Sequence, residues 1–147
     1  MTSISIRDYE QKDLGAVTDL TNQLGYPTTI EEMQQRINEI AICSHCRTLV
    51  AVMDHQVVGY AGLAQGWYWE KRGTYVWIQA LVVHRDQRKA GVGKQLLEAA
   101  TAHARAIGAG TLRLNSGNRP ERKAAHLFYP KMGFEASSTG YVKQISP

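Results

Sequence analysis

The chain has 147 residues and a formal net charge of +4, and its apolar (44%) and charged (20%) fractions are ordinary for a globular protein. This length suits one domain with a buried core, and two closely spaced cysteines exclude a disulfide-framed secreted fold. No apolar run approaches the ~20 residues that span a bilayer, and the first residues read as neither a signal nor a transit peptide. We therefore expect a single cytoplasmic domain over residues 1–147, with no membrane partner.

The charge is distributed unevenly along the chain. Residues 1–80 carry 6 Lys/Arg against 9 Asp/Glu, whereas residues 81–147 carry 11 against 4. A basic half indicates a polyanionic partner, either nucleic acid or a phosphate-bearing cofactor. Because this half contains no recognisable nucleic-acid reader motif, we expect no nucleic acid as a partner.

Hydrophobic periodicity predicts strands where apolar residues alternate and helices where they recur every three or four positions. The predicted strands are 3–8, 48–53, 56–66, 74–83, 111–115, 134–137 and 141–145. The predicted helices are 13–24, 30–40, 94–107 and 121–132. Strands and helices alternate only in the second half, which predicts a parallel strand–helix–strand unit at 74–115. The expected fold is α/β (α+β), with a mixed central sheet of about seven strands flanked by four helices.

Short signals predict where these elements begin and end. Asp13 is expected to cap the first helix and Gly25 to end it. The pair Thr28/Thr29, followed by Glu31 and Glu32, forms an overlapping capping-box pattern before the second helix. Asp54-His55 is predicted as the turn of a hairpin.

The sharpest local feature is the segment Leu81–Lys94, which is a strand, a polar turn and a helix start. Gly91 and Gly93 let the backbone approach a ligand closely, and the free N–H groups and positive dipole end of the helix favour an anion there. Further positive charge around the same point comes from Arg88, Lys89 and Lys94.

Three phosphate-binding patterns compete for this turn. A P-loop needs glycine at position 88 and Ser or Thr at position 95, where the chain has Arg88 and Gln95. A dinucleotide fingerprint needs a third glycine at position 96, which is leucine. The pattern Arg-x-x-Gly-x-Gly after a valine-rich strand is met in full by Arg88, Gly91 and Gly93.

With this pattern, the segment 81–97, LVVHRDQRKAGVGKQLL, resembles the coenzyme A motif of the GNAT-type N-acetyltransferase superfamily. A second block at 124–134, AAHLFYPKMGF, is similar to the same family's Ala-x-x-Phe-Tyr-x-x-x-Gly-Phe helix end. The resemblance covers essentially the whole chain, since the predicted order of elements is also the family's order.

The resemblance implies transfer of an acetyl group from acetyl-coenzyme A to an amine by direct attack in a ternary complex. It implies a bulged strand that splays from its neighbour, with pantetheine bonded to the main chain of Leu81, Val82 and Val83. Polar side chains after the fifth strand, Asn115 and Ser116, are expected to hold a pantetheine amide. The residues expected to bind the pyrophosphate are Arg88, Lys89, Ala90, Gly91, Val92, Gly93 and Lys94.

Tyr129 occupies the family's position for the acid that protonates the departing thiolate, and a phenol matches a thiol in acidity. Arg122, His126 and Tyr129 fall at i, i+4 and i+7 and share one helix face, which is either part of the site or a solvated surface. The alternative for Tyr129 is structural packing. Pro130 disfavours helical angles at Tyr129, so the last helical turn is expected to end early.

A general base is not evident in this sequence. The strand before the glycine turn reads Ile78-Gln79-Ala80, without the carboxylate that some family members carry there. We expect a water held by Gln79 and backbone carbonyls to accept the amine proton. Glu70 and His126 are weaker candidates.

Two further clusters are open to interpretation. Cys43 and Cys46 lack a second Cys/His pair at zinc-site spacing, so two free thiols and no metal are expected. The aromatic run Trp67-Tyr68-Trp69 places at least one ring outward or in an acceptor cleft, and aromatic walls suit a small cationic amine.

The sequence most resembles small-molecule members of the family, including aminoalkylphosphonate and aminoglycoside acetyltransferases. The alternative is a non-catalytic acyl-coenzyme A-binding or regulatory module of the same fold. The predicted edge strand Tyr141–Ile145 suggests a homodimer, because an exposed edge is a template for pairing.

Overall fold

The computed structural model describes residues 3–116 and 123–146. The chain divides into two compact units, Met1–Leu114 and Asn115–Pro147. The strands are β1 Ile4–Asp8, β2 Cys46–Met53, β3 Gln56–Trp67, β4 Thr74–Val83 and β5 Thr111–Leu114. The helices are α1 Leu14–Leu24, α2 Ile30–Ile42, α3 Val92–Ala106 and α4 Lys123–Lys131. Within the described residues, no helix is long and apolar enough to cross a bilayer.

The first unit is built on one mixed sheet with the strand order β1-β2-β3-β4-β5. The first four strands pair antiparallel, and β4 pairs with β5 in parallel through α3, which confirms the predicted strand–helix–strand unit. The β2–β3 hairpin turns at Asp54 and His55, whose φ angles of 52° and 63° are those of a type I′ turn. The mixed α/β class and the four helices are as predicted.

Among the residues that the structure describes, the sheet has five strands, where the sequence predicted about seven. Residues 134–137 and 141–145, the expected last hairpin, form no strand in the structure. Tyr141, Val142 and Ile145 are each about nine-tenths exposed, so no apolar face is buried to support pairing. A two-stranded hairpin without such a face is marginally stable at best.

Helices cover both faces of the sheet. On one face α1 and α2 pack against β2, β3 and β4, and Thr21 Oγ1 lies 2.7 Å from the buried hydroxyl of Tyr60. The core on this face consists of Val17, Leu20, Met33, Ile37, Val50, Tyr60 and Val82. On the other face α3 crosses all five strands and buries Val92, Leu96, Leu97, Ala100 and Ala104. Because α3 follows β4 in the chain and packs on this face, the glycine turn that joins them lies at the end of β4.

The start of α2 agrees with the sequence prediction. Thr29 Oγ1 accepts the N–H of Glu32 at 3.1 Å, and Glu32 Oε1 accepts the N–H of Thr29 at 3.0 Å. This is the reciprocal capping box, and it satisfies backbone donors that a helix start leaves unpaired.

The predicted cap of α1 is wrong. Asp13 makes no side-chain cap bond to α1, because its φ and ψ of −86° and −4° lie in the helical region rather than the extended region that a cap needs. Its buried carboxylate instead accepts two hydrogen bonds from Arg7, at 2.7 and 2.9 Å, and one from the N–H of Glu10. The carboxylate therefore ties β1 to the first helical turn.

Loss of the Arg7–Asp13 ion pair should lower the free energy of unfolding, and the size of the loss should depend on pH. The Arg7 hydrogen bonds hold the pKa of Asp13 below its ordinary value. Their contribution to the free energy of unfolding is therefore full above the pKa of about 4 that Asp13 has in the unfolded chain, and it is lost as the pH falls through the lower pKa of the folded state. We expect Arg7→Gln to reduce the free energy of unfolding by about 2 kcal/mol at pH 7, with the difference closing towards pH 2. Urea denaturation at several pH values measures it. A difference that stays constant with pH would contradict the pairing.

Candidate active site

The strand before the glycine turn contains one extra residue. Gly62 pairs with Ala80 and Leu63 pairs with Ile78, so Gln79 has no partner on β3. Such a bulge bends the strand and interrupts the ladder locally. The side chain of Gln79 is exposed. The bulge that the family resemblance implied is thus present, and Gln79 is its inserted residue.

The edge of β4 beyond the bulge is open. Pairing with β5 ends at Ile78 and Leu114, where β5 itself ends. Within the described part of the chain, Leu81–Val83 pair only with β3 and have no strand on their other side. An unpaired edge presents N–H and C=O groups to an extended ligand that contains amides.

The glycine turn places the start of α3 directly after this edge. Gly91 precedes the helix with a φ of +89°, and nothing lies within 4 Å of the position that a Cβ would take. The first helical bond runs from the N–H of Gln95 to the carbonyl of Gly91 at 3.1 Å. The N–H groups of Val92, Gly93 and Lys94 therefore lack acceptors within the helix, and no side chain caps them. This helix start suits an anion.

The turn is basic and exposed. Arg88, Lys89 and Lys94 are solvent-accessible, and none of the ion pairs among the described residues involves them. Lys89 adopts a positive φ of 72°, a conformation that a non-glycine residue rarely takes. Arg88 Nε donates to the carbonyl of Val83 at 3.5 Å, so its guanidinium lies beside the end of β4. The segment 88–94 thus carries three positive charges that no acidic side chain among the described residues pairs with.

Gly59 was missed by the sequence interpretation, although a glycine inside a strand is a signal of close backbone approach. A Cβ at Gly59 would lie 2.9 Å from the carbonyl oxygen of Val82 and 3.1 Å from Cγ1 of Val92. The absence of a side chain lets the first turn of α3 press against β3 and β4. Gly59 therefore helps to position the helix start beside the open edge.

Two hydrogen bonds anchor the turn between β4 and α3. The N–H of His84 donates to the carbonyl of Val58 at 2.7 Å, and the N–H of Arg85 donates to Gln23 Oε1 at 2.9 Å. His84 Nδ1 accepts the N–H of Asp86 at 3.1 Å, which assigns the ring proton to Nε2 in the neutral imidazole. The turn is thereby held to both β3 and α1.

The second unit carries the predicted acid, Tyr129, on helix α4. Helix α4 ends in a Schellman motif, in which Phe134 N–H donates to the Tyr129 carbonyl at 3.2 Å and Gly133 N–H donates to the Pro130 carbonyl at 3.1 Å. Pro130 lies within this helix, so the expected early end of its last turn is wrong. The half-buried ring of Tyr129 packs 5.5 Å from that of Phe128 and 5.8 Å from that of Phe134.

The remaining predicted residues differ in exposure. His126 and Asn115 are exposed, Ser116 is half-buried, and all three belong to the second unit with Tyr129. Glu70 is exposed in the β3–β4 loop of the first unit. Arg122 lies outside the described residues. Of the predicted site residues, Glu70, Gln79 and the segment 81–94 therefore lie in the first unit, and the others that the structure describes lie in the second.

Cys43 is exposed and Cys46 is half-buried, and both are free thiols. No group of three metal-ligating side chains occurs among the residues that the structure describes.

Comparison with known proteins agrees with this geometry. The model of the "Acetyltransferase (GNAT) family" matches residues 14–134. The chain belongs to the GNAT acetyltransferase family. A GNAT member uses acetyl-coenzyme A as its acetyl donor, and the residues at the open edge and the glycine turn fit such a donor: unpaired strand amides, free helix N–H groups and positive charge.

Individual proteins are similar to this chain in sequence or in structure. A Bacillus subtilis (strain 168) protein called "Uncharacterized N-acetyltransferase YhdJ" is 41% identical over 75 residues, and the match spans about half of each chain (50% and 51%). A GNAT acetyltransferase structure from Staphylococcus aureus superposes with a TM-score of 0.83 at 26% identity, covering 97% of this chain and 99% of that one. The aminoglycoside N-acetyltransferase AAC(6')-Iy in complex with CoA has a TM-score of 0.85 at 19% identity, with 99% and 96% covered.

Proposed function

We propose that this GNAT protein transfers an acetyl group from acetyl-coenzyme A to a primary amine of a small molecule, by direct attack in a ternary complex. The observation that carries the proposal is the bulge at Gln79, after which an unpaired strand edge leads into the basic start of α3. We further propose, as the sequence interpretation expected, that the acceptor is a small molecule and that the protein acts in the cytoplasm.

The donor would be held mainly through backbone groups of the chain. The open edge at Leu81, Val82 and Val83 offers main-chain partners to the pantetheine amides, and Asn115 and Ser116 are proposed to add side-chain contacts. The pyrophosphate would take the free N–H groups at the start of α3 and the charges of Arg88 and Lys89. The bound donor supplies an activated acetyl thioester.

The proton of the attacking amine needs an acceptor near the bulge. Ile78-Gln79-Ala80 supplies no carboxylate, so we propose that Gln79 and neighbouring carbonyls hold the water that takes the proton. Glu70 and His126 are weaker candidates for the same role. At the other end of the reaction, the Tyr129 hydroxyl would donate a proton to the departing thiolate.

Gln79→Ala tests the water-holding role. We expect kcat to fall about tenfold with the KM for acetyl-coenzyme A nearly unchanged, because the backbone bulge remains while the amide that orients water is lost. Gln79→Glu, which supplies a carboxylate at the same place, is the matched control and should retain turnover. Unchanged kcat in Gln79→Ala would exclude the side chain from proton transfer.

The missing carboxylate also keeps open a second function, a non-catalytic acyl-coenzyme A-binding or regulatory module. One experiment separates the two: native mass spectrometry for bound acetyl-coenzyme A, followed by release of free thiol with a panel of small amines. An enzyme binds the donor and releases thiol in the presence of an amine. A binding module retains the donor and releases none with any amine.

The homodimer expected from the sequence stays a prediction. Its original basis, a C-terminal edge strand, is absent, whereas the exposed side chains of Tyr141, Val142 and Ile145 still offer apolar surface. We propose neither a nucleic acid nor a membrane as a partner.

A further inference from the structure

We propose that the amine acceptor carries an anionic group, carboxylate or phosphate, which binds to Arg113 on an aromatic platform formed by Tyr68, Tyr75 and Trp77. This inference rests on the proposed acetyl transfer and adds the chemical class of its substrate. It revises the expectation that the aromatic residues receive the cationic amine itself.

The platform lies on one face of the sheet, just before the bulge. Tyr75 and Trp77 are two residues apart on β4, and their ring centroids are 6.3 Å apart. The ring of Tyr68 lies 5.0 Å from that of Tyr75. Gly66 makes this arrangement possible, because a Cβ there would lie 2.3 Å from Cζ of Tyr75.

The aromatic faces already hold cations. The guanidinium carbon of Arg113 lies 5.7 Å from the ring centroid of Tyr75 and 5.8 Å from that of Trp77. Lys71 Nζ lies 4.4 Å from the ring centroid of Tyr68. Since these cations take the positions over the rings that a cationic ligand would use, the platform is suited to the opposite charge.

The positive charge of the platform is not neutralised by the described residues. None of their ion pairs includes Arg113, Lys71 or Arg72, and the nearby exposed Glu70 forms none either. The Tyr68 hydroxyl lies 2.7 Å from Thr111 Oγ1. That hydrogen bond lowers the pKa of Tyr68, and Arg113 and Lys71 act in the same direction, which agrees with an electropositive surface.

The platform also lies where an acceptor is needed. Arg113 is the strand partner of Trp77 and directly precedes Leu114, at which β4–β5 pairing ends. Trp77 is two residues before Gln79, a distance of about 7 Å along a strand. A ligand anchored to Arg113 by its anionic group would therefore place an amine a few bonds away beside the bulge.

The kinetic test uses pairs of amines that differ only in the anionic group: an amino acid and its amide, and a phosphorylated and an unphosphorylated amino sugar. We expect the wild type to show a lower KM for the anionic member of at least one pair. Arg113→Gln should raise that KM about tenfold to hundredfold, with kcat and the KM of the neutral member nearly unchanged. Arg113→Lys should recover part of the loss. Equal KM values within every pair, or a preference that survives Arg113→Gln, would overturn the proposal.

Arg105→Gln is the matched control, because it removes the same charge from an exposed site on α3 and should retain the preference.

If no amine is acetylated, the proposed acetyl transfer fails, and a binding measurement then tests the anion site separately. With saturating coenzyme A present, inorganic phosphate should raise the melting temperature of the wild type and of Arg105→Gln by a few degrees over chloride at equal ionic strength. Arg113→Gln should show no such rise. The same rise in all three proteins would overturn the site.

Discussion

Gly91→Asp is expected to raise the dissociation constant of coenzyme A more than a hundredfold while leaving the protein folded. The new carboxylate would stand at the start of α3, where the pyrophosphate is proposed to bind. At an effective dielectric constant of about 20 and a separation of about 5 Å, each pair of like unit charges costs about 3 kcal/mol. Every 1.4 kcal/mol or so is tenfold in affinity, so one such pair suffices for the expected loss.

The fold should tolerate this change. The space around the Cβ position of Gly91 is empty, so no atom must move, and the φ of +89° costs an L-residue about 1–2 kcal/mol. Gly91→Asn carries the same strain without the charge and serves as the matched control. Isothermal titration calorimetry should show a far weaker effect for asparagine than for aspartate, with similar melting temperatures for both. Wild-type affinity in both variants would remove the glycine turn from the cofactor site.

Tyr129→Phe is expected to lower kcat by about 10²–10⁴-fold with nearly intact affinity for coenzyme A. The substitution removes only the hydroxyl, which is proposed to protonate the thiolate. Phenylalanine keeps the ring that packs against Phe128 and Phe134, so the melting temperature should change little. Steady-state kinetics from pH 6 to 9 on a verified acceptor measure the effect.

A packing role for Tyr129 gives a different result. In that case the phenylalanine variant would match the wild type in kcat across the pH range, and Tyr129 would leave the mechanism. Pro130→Ala is the control for the shape of the helix end, since it restores a backbone donor without touching the hydroxyl. It should leave kcat unchanged, because the helix already runs through Pro130 to Lys131.

The parts of the fold that sequence reasoning predicted well are those encoded by local chemistry. Gly25 and Gly133 end helices with φ values of 106° and 90°, and the capping box at Thr29 forms as its residue types require. The glycine turn after a valine-rich strand is a local pattern too. Each of these features depends on neighbours within a few residues, which the sequence displays directly.

The features that were missed depend on distant partners. Asp13 carries the side chain of a cap but pairs with Arg7 on β1, a contact that only the folded sheet creates. Arg113 was not singled out, because its position over Tyr75 and Trp77 comes from the parallel register of β4 and β5. The prediction of the last hairpin was wrong for a different reason. Its residues alternate between apolar and polar types, but the apolar side chains of Tyr141, Val142 and Ile145 are exposed.

The inserted residue at position 79 also changes what a deletion in this strand would do. Ala80 and Val82 pack with the core under α1 and α2. Because Gln79 is inserted between Ile78 and Ala80 without a partner on β3, those two residues face opposite sides of the sheet, as neighbours in a strand without a bulge would, and Tyr75 and Trp77 share the side of Ala80. Removing Gln79 would therefore leave each side chain of β4 on its present face and close only the bulge. Substitution at this position changes one side chain, whereas loss of the residue removes the local bend at the point where the edge of β4 opens.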